Sequence, residues 1–235
     1  MAGEGGNGRG AGSRAARAAV LARIRAANGR KPAATAPAAA ATAPASAPPI
    51  PRDYATRSPL APAAVADCFA ERVDEYRATV HRLAAGEVAE RVVVLARERG
   101  ARRLAVAPGV PGEWRPDGLE LVEDHGLAAT ALDQIDGALT GCALAIAETG
   151  TLVLDGAPRS GRRALTLVPD WHACVVEADQ IVGSVPEAIA RMHEAATAGR
   201  PLTLVSGPSA TSDIELRRVE GVHGPRSLDV LLVEG

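Results

Sequence analysis

Apolar residues follow two rhythms along this chain. Val65, Phe69, Val73, Tyr76, Val80 and Leu83 recur at steps of three or four, which marks one face of an α-helix. Gly86 interrupts the pattern, Val88 to Arg99 resumes it as a second helix, and Gly100 ends that helix. Short apolar runs bounded by turn residues predict buried strands instead. They are Arg103 to Ala107 (closed by Pro108-Gly109), Leu119 to Val122, Thr151 to Leu154, Ala164 to Val168, Ala173 to Glu177, Pro201 to Val205 and Ser227 to Val233. Between them the pattern predicts a helical turn over Ala128 to Ile135, a polar turn at Pro169-Asp170-Trp171-His172, and a helix over Pro186 to Ala198 with proline in its first turn. Helices alternating with buried strands define an α/β fold, an open and mostly parallel sheet flanked by helices.

The first fifty residues differ in kind. Residues 1–29 read as a flexible, Gly-rich terminus with one short helix, which Ser13 can cap and which runs to about Ala27. Val20, Leu21 and Ile24 form its apolar stripe, and Arg14, Arg17, Arg23 and Arg25 are spread around the rest. Such a helix suits an anionic membrane surface or a docking partner. Residues 30–51 are almost entirely Ala, Pro, Thr and Ser, a semi-rigid extended linker. The folded domain then occupies residues 52–235.

Composition narrows the functional classes. A net charge of −2 and aromatic residues at 2 % offer neither a basic field nor stacking platforms for nucleic acid. No apolar run reaches the roughly 20 residues that span a bilayer, and the Arg-rich terminus lacks the apolar core of a secretory signal, so the expected location is cytoplasmic. Cys68, Cys142 and Cys174 are odd in number and far apart, which fits buried free thiols better than disulfides, zinc or iron–sulfur ligation. No metal site is expected, and His172 and His193 are isolated histidines.

Candidate chemistry concentrates in two stretches. In Leu202 to Arg226, a strand leads into Ser206, Gly207, Pro208, Ser209, Ala210, Thr211, Ser212 and Asp213. A strand followed by small and hydroxylated residues suits an anion cradle, and equally a helix-capping turn. Residues 214–226 then pack Glu215, Glu220, His223 and three arginines beside Gly221, Gly224 and Pro225. Such a density suits acid/base work, the grip of a carboxylate or phosphate, or a solvated ion-paired face. In Ala138 to Asp155, Glu148-Thr149-Gly150 stands between a small-residue segment and a strand. A glutamate there sits at a surface turn or in a pocket that keeps it reactive, and the spacing favours the turn. Gly156 to Arg163 is a basic loop open to an anion or to water.

Three segments taken together, AIAETGTLVLD (145–155), GRRALTLVPDWH through QIV (161–182) and SGPSATSDIELRRVEGVHGPRSLDVLLV (206–233), resemble the lactate-utilisation protein C family, the LUD-domain proteins. The AVLARIRAA helix and the RDYATR segment are similar to that family as well. The resemblance implies a fold like that of the NagB, ribose-5-phosphate isomerase and CoA-transferase group. It also implies a part in oxidising L-lactate to pyruvate, beside partner proteins that carry iron–sulfur and cysteine-rich modules; no cofactor is expected in this chain.

Because parallel sheets bind ligands beyond the carboxyl ends of their strands, and the loop after Val205 is read as such an end, the expected site combines both stretches. Glu148, Glu220 and His223 are its candidate catalytic groups. Thr149, Gly150, Ser206, Gly207, Ser209, Thr211, Ser212, Asp213, Gly224 and Arg226 are its candidate binding groups for a small carboxylate or other anion, with Arg162 or Arg163 as alternatives to Arg226 for a two-pronged grip. Three roles stay open. The chain is a ligand-binding or accessory subunit of an L-lactate dehydrogenase complex, a CoA-transferase-like enzyme with Glu148 as nucleophile, or a non-catalytic assembly subunit. The Glu-x-Gly turn of CoA-transferases is similar to Glu148-Thr149-Gly150, except that Thr149 stands where asparagine is usual.

Overall fold

The computed structural model describes residues 9–27, 53–208 and 224–234. The chain divides into two compact units, Met1–Arg52 and Asp53–Gly235. The first holds α1 (Arg9–Ala27), on which Val20 and Ile24 are both more than half exposed.

The second unit is built on a six-stranded, wholly parallel sheet in the order β1-β10-β7-β4-β2-β3. Its strands are β1 (Thr79–Ala84), β2 (Arg103–Val106), β3 (Glu120–Glu123), β4 (Gly137–Gly141), β7 (Trp171–Glu177) and β10 (Ser227–Glu234). A second sheet of four short strands has the order β8-β5-β6-β9, with β5 (Leu144–Ile146), β6 (Thr151–Leu154), β8 (Ile181–Val182) and β9 (Thr203–Val205).

The layers follow from the apolar alternation. On one face of the large sheet, Leu104, Leu139, Val175 and Leu231 pack beneath Val88, Val92 and Leu95 of α3 (Val88–Arg99) and beneath Leu132 of α4 (Ala129–Leu132). On the other face, Cys174, Val176, Val230 and Leu232 meet Phe69 and Val73 of α2 (Pro62–Glu75) together with Ala145, Leu152 and Leu154 of the small sheet. The outer face of the small sheet, with Leu144, Ile146 and Val153, is covered by α5 (Val185–Thr197) through Ala188. The molecule is therefore an α/β fold with a parallel sheet flanked by helices, one flank being shared with a second sheet.

Several elements depart from the sequence pattern. The helix read from Val65 to Leu83 stops at Glu75, and Val80 and Leu83 lie on β1. Arg77, at φ 63°, reverses the chain between them, and a step of three or four can bridge such a break by coincidence. Ala164 to Val168 is a succession of turns, bonded from Leu165 N to Arg162 O and from Val168 N to Ala164 O. Leu165 is nonetheless fully buried, because a short apolar run records burial without recording conformation. Trp171 and His172 begin β7 instead of closing a turn. β9 is an edge strand, with Leu204 57 % exposed, where a buried strand was expected.

Strand addition reverses direction between β2 and β4: β3 lies outside β2, whereas β7 and β10 follow outside β4. The crevice at such a reversal is the usual ligand site of an open sheet. Here the chain closes it with its own loop after β6. Gly109 N donates to Pro158 O at 2.9 Å and Gly141 N to Arg159 O at 2.9 Å. A Cβ on Gly109 would fall 2.7 Å from Arg159 N, and one on Gly141 would fall 2.8 Å from Arg159 Cγ.

Candidate functional site

Glu148 lies in a single 3-10 turn, Ala147–Thr149, that joins β5 to β6. Its side chain is exposed, and Oε1 accepts from Val185 N, the first residue of α5, at 2.6 Å. The carboxylate thus satisfies one of the free N–H groups at a helix start, where the backbone dipole favours an anion. Gly150 follows at φ 57°, and a Cβ there would lie 2.6 Å from the carbonyl carbon of Arg72. Its role is to let α2 pack against the turn.

The next side chains connect that turn to the loop after β9. Thr149 Oγ1 and Thr151 Oγ1 are 2.7 Å apart, and Thr151 Oγ1 and Ser206 Oγ are 2.7 Å apart. Thr151 is 4 % exposed, so this row of three hydroxyls is anchored at its centre and open at its ends. Gly207, at φ 88°, sits against α2, where a Cβ would meet Tyr76 O at 2.6 Å; a Cβ on Gly224 would meet Pro208 O at 2.8 Å. Thr149, Gly150, Ser206 and Gly207 thus form one hydroxyl-lined ledge beside Glu148.

The ledge does not lie where the strand-end rule places it. β9 runs antiparallel to β6, and the described ends of the loop after it approach Tyr76, just ahead of β1, and Ser227, the start of β10. Gly207 against Tyr76 places this part of the loop at the amino end of β1. Ser209, Thr211, Ser212, Asp213, Glu220 and His223 lie outside the described residues.

The candidate arginines separate. Arg162 is tied to the buried Asp124 through Nε at 2.7 Å and Nη2 at 2.9 Å, and also to Leu127 O. Burial pulls the Asp124 carboxyl upward, but hydrogen bonds from Arg162 and from the backbone of Leu127 and Gly126 outweigh it and hold the group below its usual range. Arg162 is thereby a structural clasp for the loop. Arg163 donates to Thr166 Oγ1 at 3.2 Å, and burial lowers its pKa. Arg226 lies at the amino end of β10, 3.5 Å from Asp170 Oδ2, on a cleft of about 650 Å³.

Two polar groups of the interior carry weaker signals in the sequence. Asp229 on β10 is fully buried and accepts from His81 Nε2 at 2.8 Å, Trp171 Nε1 at 2.7 Å and Arg99 Nη2 at 2.6 Å. An acid inside the run SLDVLLV is the signal for it, since a buried strand keeps a carboxylate only when it is paired. On the opposite face His172 Nε2 lies 2.8 Å from Thr140 Oγ1, which donates to Cys174 Sγ at 3.8 Å. A hydrogen bond from Cys142, with His172 and Thr140 adding to it, lowers the Cys174 pKa against burial, and that of Cys142 rises in response. Cys142 and Cys174 are buried free thiols and Cys68 is half-buried. Among the described residues no group of three or more His, Cys, Asp or Glu is placed to hold a metal ion, and no helix is long and apolar enough to cross a membrane.

A six-stranded parallel sheet flanked by helices, with a row of hydroxyls on its second sheet, defines an α/β protein in the first instance. Residues 68–233 match the LUD domain, and the chain belongs to that family. It is 46 % identical to a lactate utilization protein C of Deinococcus radiodurans over 182 residues, 77 % of this chain and 84 % of that one. It is 31 % identical to a lactate utilization protein C of Halalkalibacterium halodurans over 106 residues, 43 % of this chain and 46 % of that one. The crystal structure of a DUF162 family protein from Deinococcus radiodurans superposes with a TM-score of 0.66 at 40 % identity, covering 74 % of this chain and 99 % of that one.

Proposed function

We propose that this chain takes part in lactate utilisation, as a ligand-binding subunit of an L-lactate-oxidising system whose redox centres reside in iron–sulfur and cysteine-rich partner proteins. Family membership and the names of the relatives support the pathway. The observation that carries the ligand-binding role is the hydroxyl row Thr149–Thr151–Ser206, which joins two segments that the sequence marks out separately. Hydroxyls at a glycine-bounded turn suit a small carboxylate.

Glu148→Gln keeps an acceptor for Val185 N and removes the charge, whereas Thr151→Val breaks the row at its centre. Both variants are expected to lose growth on L-lactate while melting within a few degrees of the parent. Normal growth of both would remove the ledge from the function.

A second reading, an assembly subunit, is favoured by the exposed apolar stripe of α1. Removal of residues 1–52 would then abolish co-purification with the partner proteins and leave the second unit folded. Unchanged co-purification would exclude it.

A further inference from the structure

At the amino ends of β4, β7 and β10 the large sheet opens into the cleft of about 650 Å³ whose lining includes Arg99, Asp133, Asp136, Trp171 and Arg226. Arg99 ends α3 and is held on two sides. Its Nη2 is 2.6 Å from Asp229 Oδ2, and its guanidinium carbon lies 5.2 Å from the centroid of the Trp171 ring. Asp229 divides its charge among three donors, since His81 and Trp171 Nε1 also bond to it. Arg99 thus retains positive character while its orientation is fixed, and 27 % of its side chain stays exposed. Arg226 is the opposite case. Its ion pair with Asp170 spans 3.5 Å between side chains that are 68 % and 65 % exposed, a pairing that contributes little and is easily exchanged.

The acids of the cleft limit what enters. Asp136 Oδ2 is already engaged by Arg102 N at 2.8 Å and Arg103 N at 2.9 Å. Asp133 and Asp170 stand on the rim and repel a polyanion.

We propose that this cleft is a binding site for one compact oxyanion, a carboxylate or a phosphate, gripped between the fixed Arg99 and the movable Arg226. Two guanidinium groups offer the planar paired donors that such groups accept. The crevice at the carboxyl ends of β2 and β4 is closed, whereas the amino ends of β4, β7 and β10 are open. The cleft is independent of the hydroxyl ledge and of whatever ligand the ledge takes.

Trp171 lies beneath Arg99 and reports on it. The full chain carrying Trp114→Phe, so that Trp171 alone emits, is titrated with sodium pyruvate, sodium L-lactate and sodium phosphate against sodium chloride at equal ionic strength. Calorimetric titration of the Thr151→Val chain, in which the ledge is broken, reads the cleft by a second signal. A saturable response to the carboxylates or to phosphate, absent with chloride, is expected, and which of them saturates identifies the source of the oxyanion. Arg226→Gln should weaken it roughly tenfold to a hundredfold, the loss of one charged hydrogen-bonding partner, at an unchanged melting temperature. Arg99→Lys, which loses the planar fork, should also weaken it. Thr151→Val should leave it intact. No saturable response to any of the three anions, full affinity in Arg226→Gln, or loss of binding in Thr151→Val would each overturn the assignment.

Discussion

Gly150 shows how much one position carries in this fold. A methyl group there meets the backbone of Arg72 at 2.6 Å, and the residue sits at a positive φ. Gly150→Ala should therefore cost more than the about 1 kcal/mol of an ordinary glycine replacement, on the order of 2–3 kcal/mol once overpacking is added, read from urea unfolding. Asp229→Ala leaves Arg99, His81 and Trp171 Nε1 without their shared acceptor and should cost about 3–5 kcal/mol. The carboxyl groups also set an acid limit. The pKa of Asp124 is lowered in the folded state, by Arg162 and backbone donors against burial, and that of Glu187 by the backbone of Ser184 and Ser58, again against burial. A lowered folded pKa contributes stability that is complete above the unfolded value and is lost as pH falls through the folded one. Urea midpoints should decline below about pH 4, and Asp124→Asn should flatten that decline.

At the scale of elements, the decisive feature is the pairing of β9 as an edge strand antiparallel to β6, which brings Ser206 to Thr151 and sets Gly207 against Tyr76, just ahead of β1. No periodicity within residues 201–205 reveals this, because a strand's pairing partner is not encoded in its own alternation. The start of α5 is a second instance. Ser184 N bonds to Glu187 Oε2 at 2.8 Å, a local cap that the SVPE spacing announces. Glu148 caps the same helix from 37 residues away. Glu148→Ala should cost about 1 kcal/mol, and Glu148→Gln less; a thermal scan of both separates this capping role from any ligand role. Cooperative unfolding unchanged in both variants would show that Ser184 and Glu187 suffice.

At the scale of the whole molecule, the second unit, Asp53–Gly235, contains both the ledge and the cleft, so a chain lacking residues 1–52 should keep its melting transition and its anion response. Loss of either would mean that the first unit contributes to the core. Most of the architecture was legible beforehand. β2, β6, β10, α3 and α5 follow from local rhythm, because burial on both faces of a parallel strand and on one face of a helix imprints directly on residue order. The Glu148-Thr149-Gly150 turn and the hydroxyls at Ser206 were visible as unusual composition, whereas the acid in SLDVLLV was read only as part of a strand. Contact between distant segments was not visible. That Thr149 meets Ser206 through Thr151, that residues 157–161 seal the usual crevice, and that Arg99 and Arg226 share a cleft all depend on strand order and pairing. The sequence by itself determined several of the elements, the fold class and the family. Tertiary structure alone decided that the crevice between β2 and β4 is closed and that a cleft opens at the amino ends of β4, β7 and β10, because the pairing of strands is settled by packing across the core and leaves no mark on any single segment.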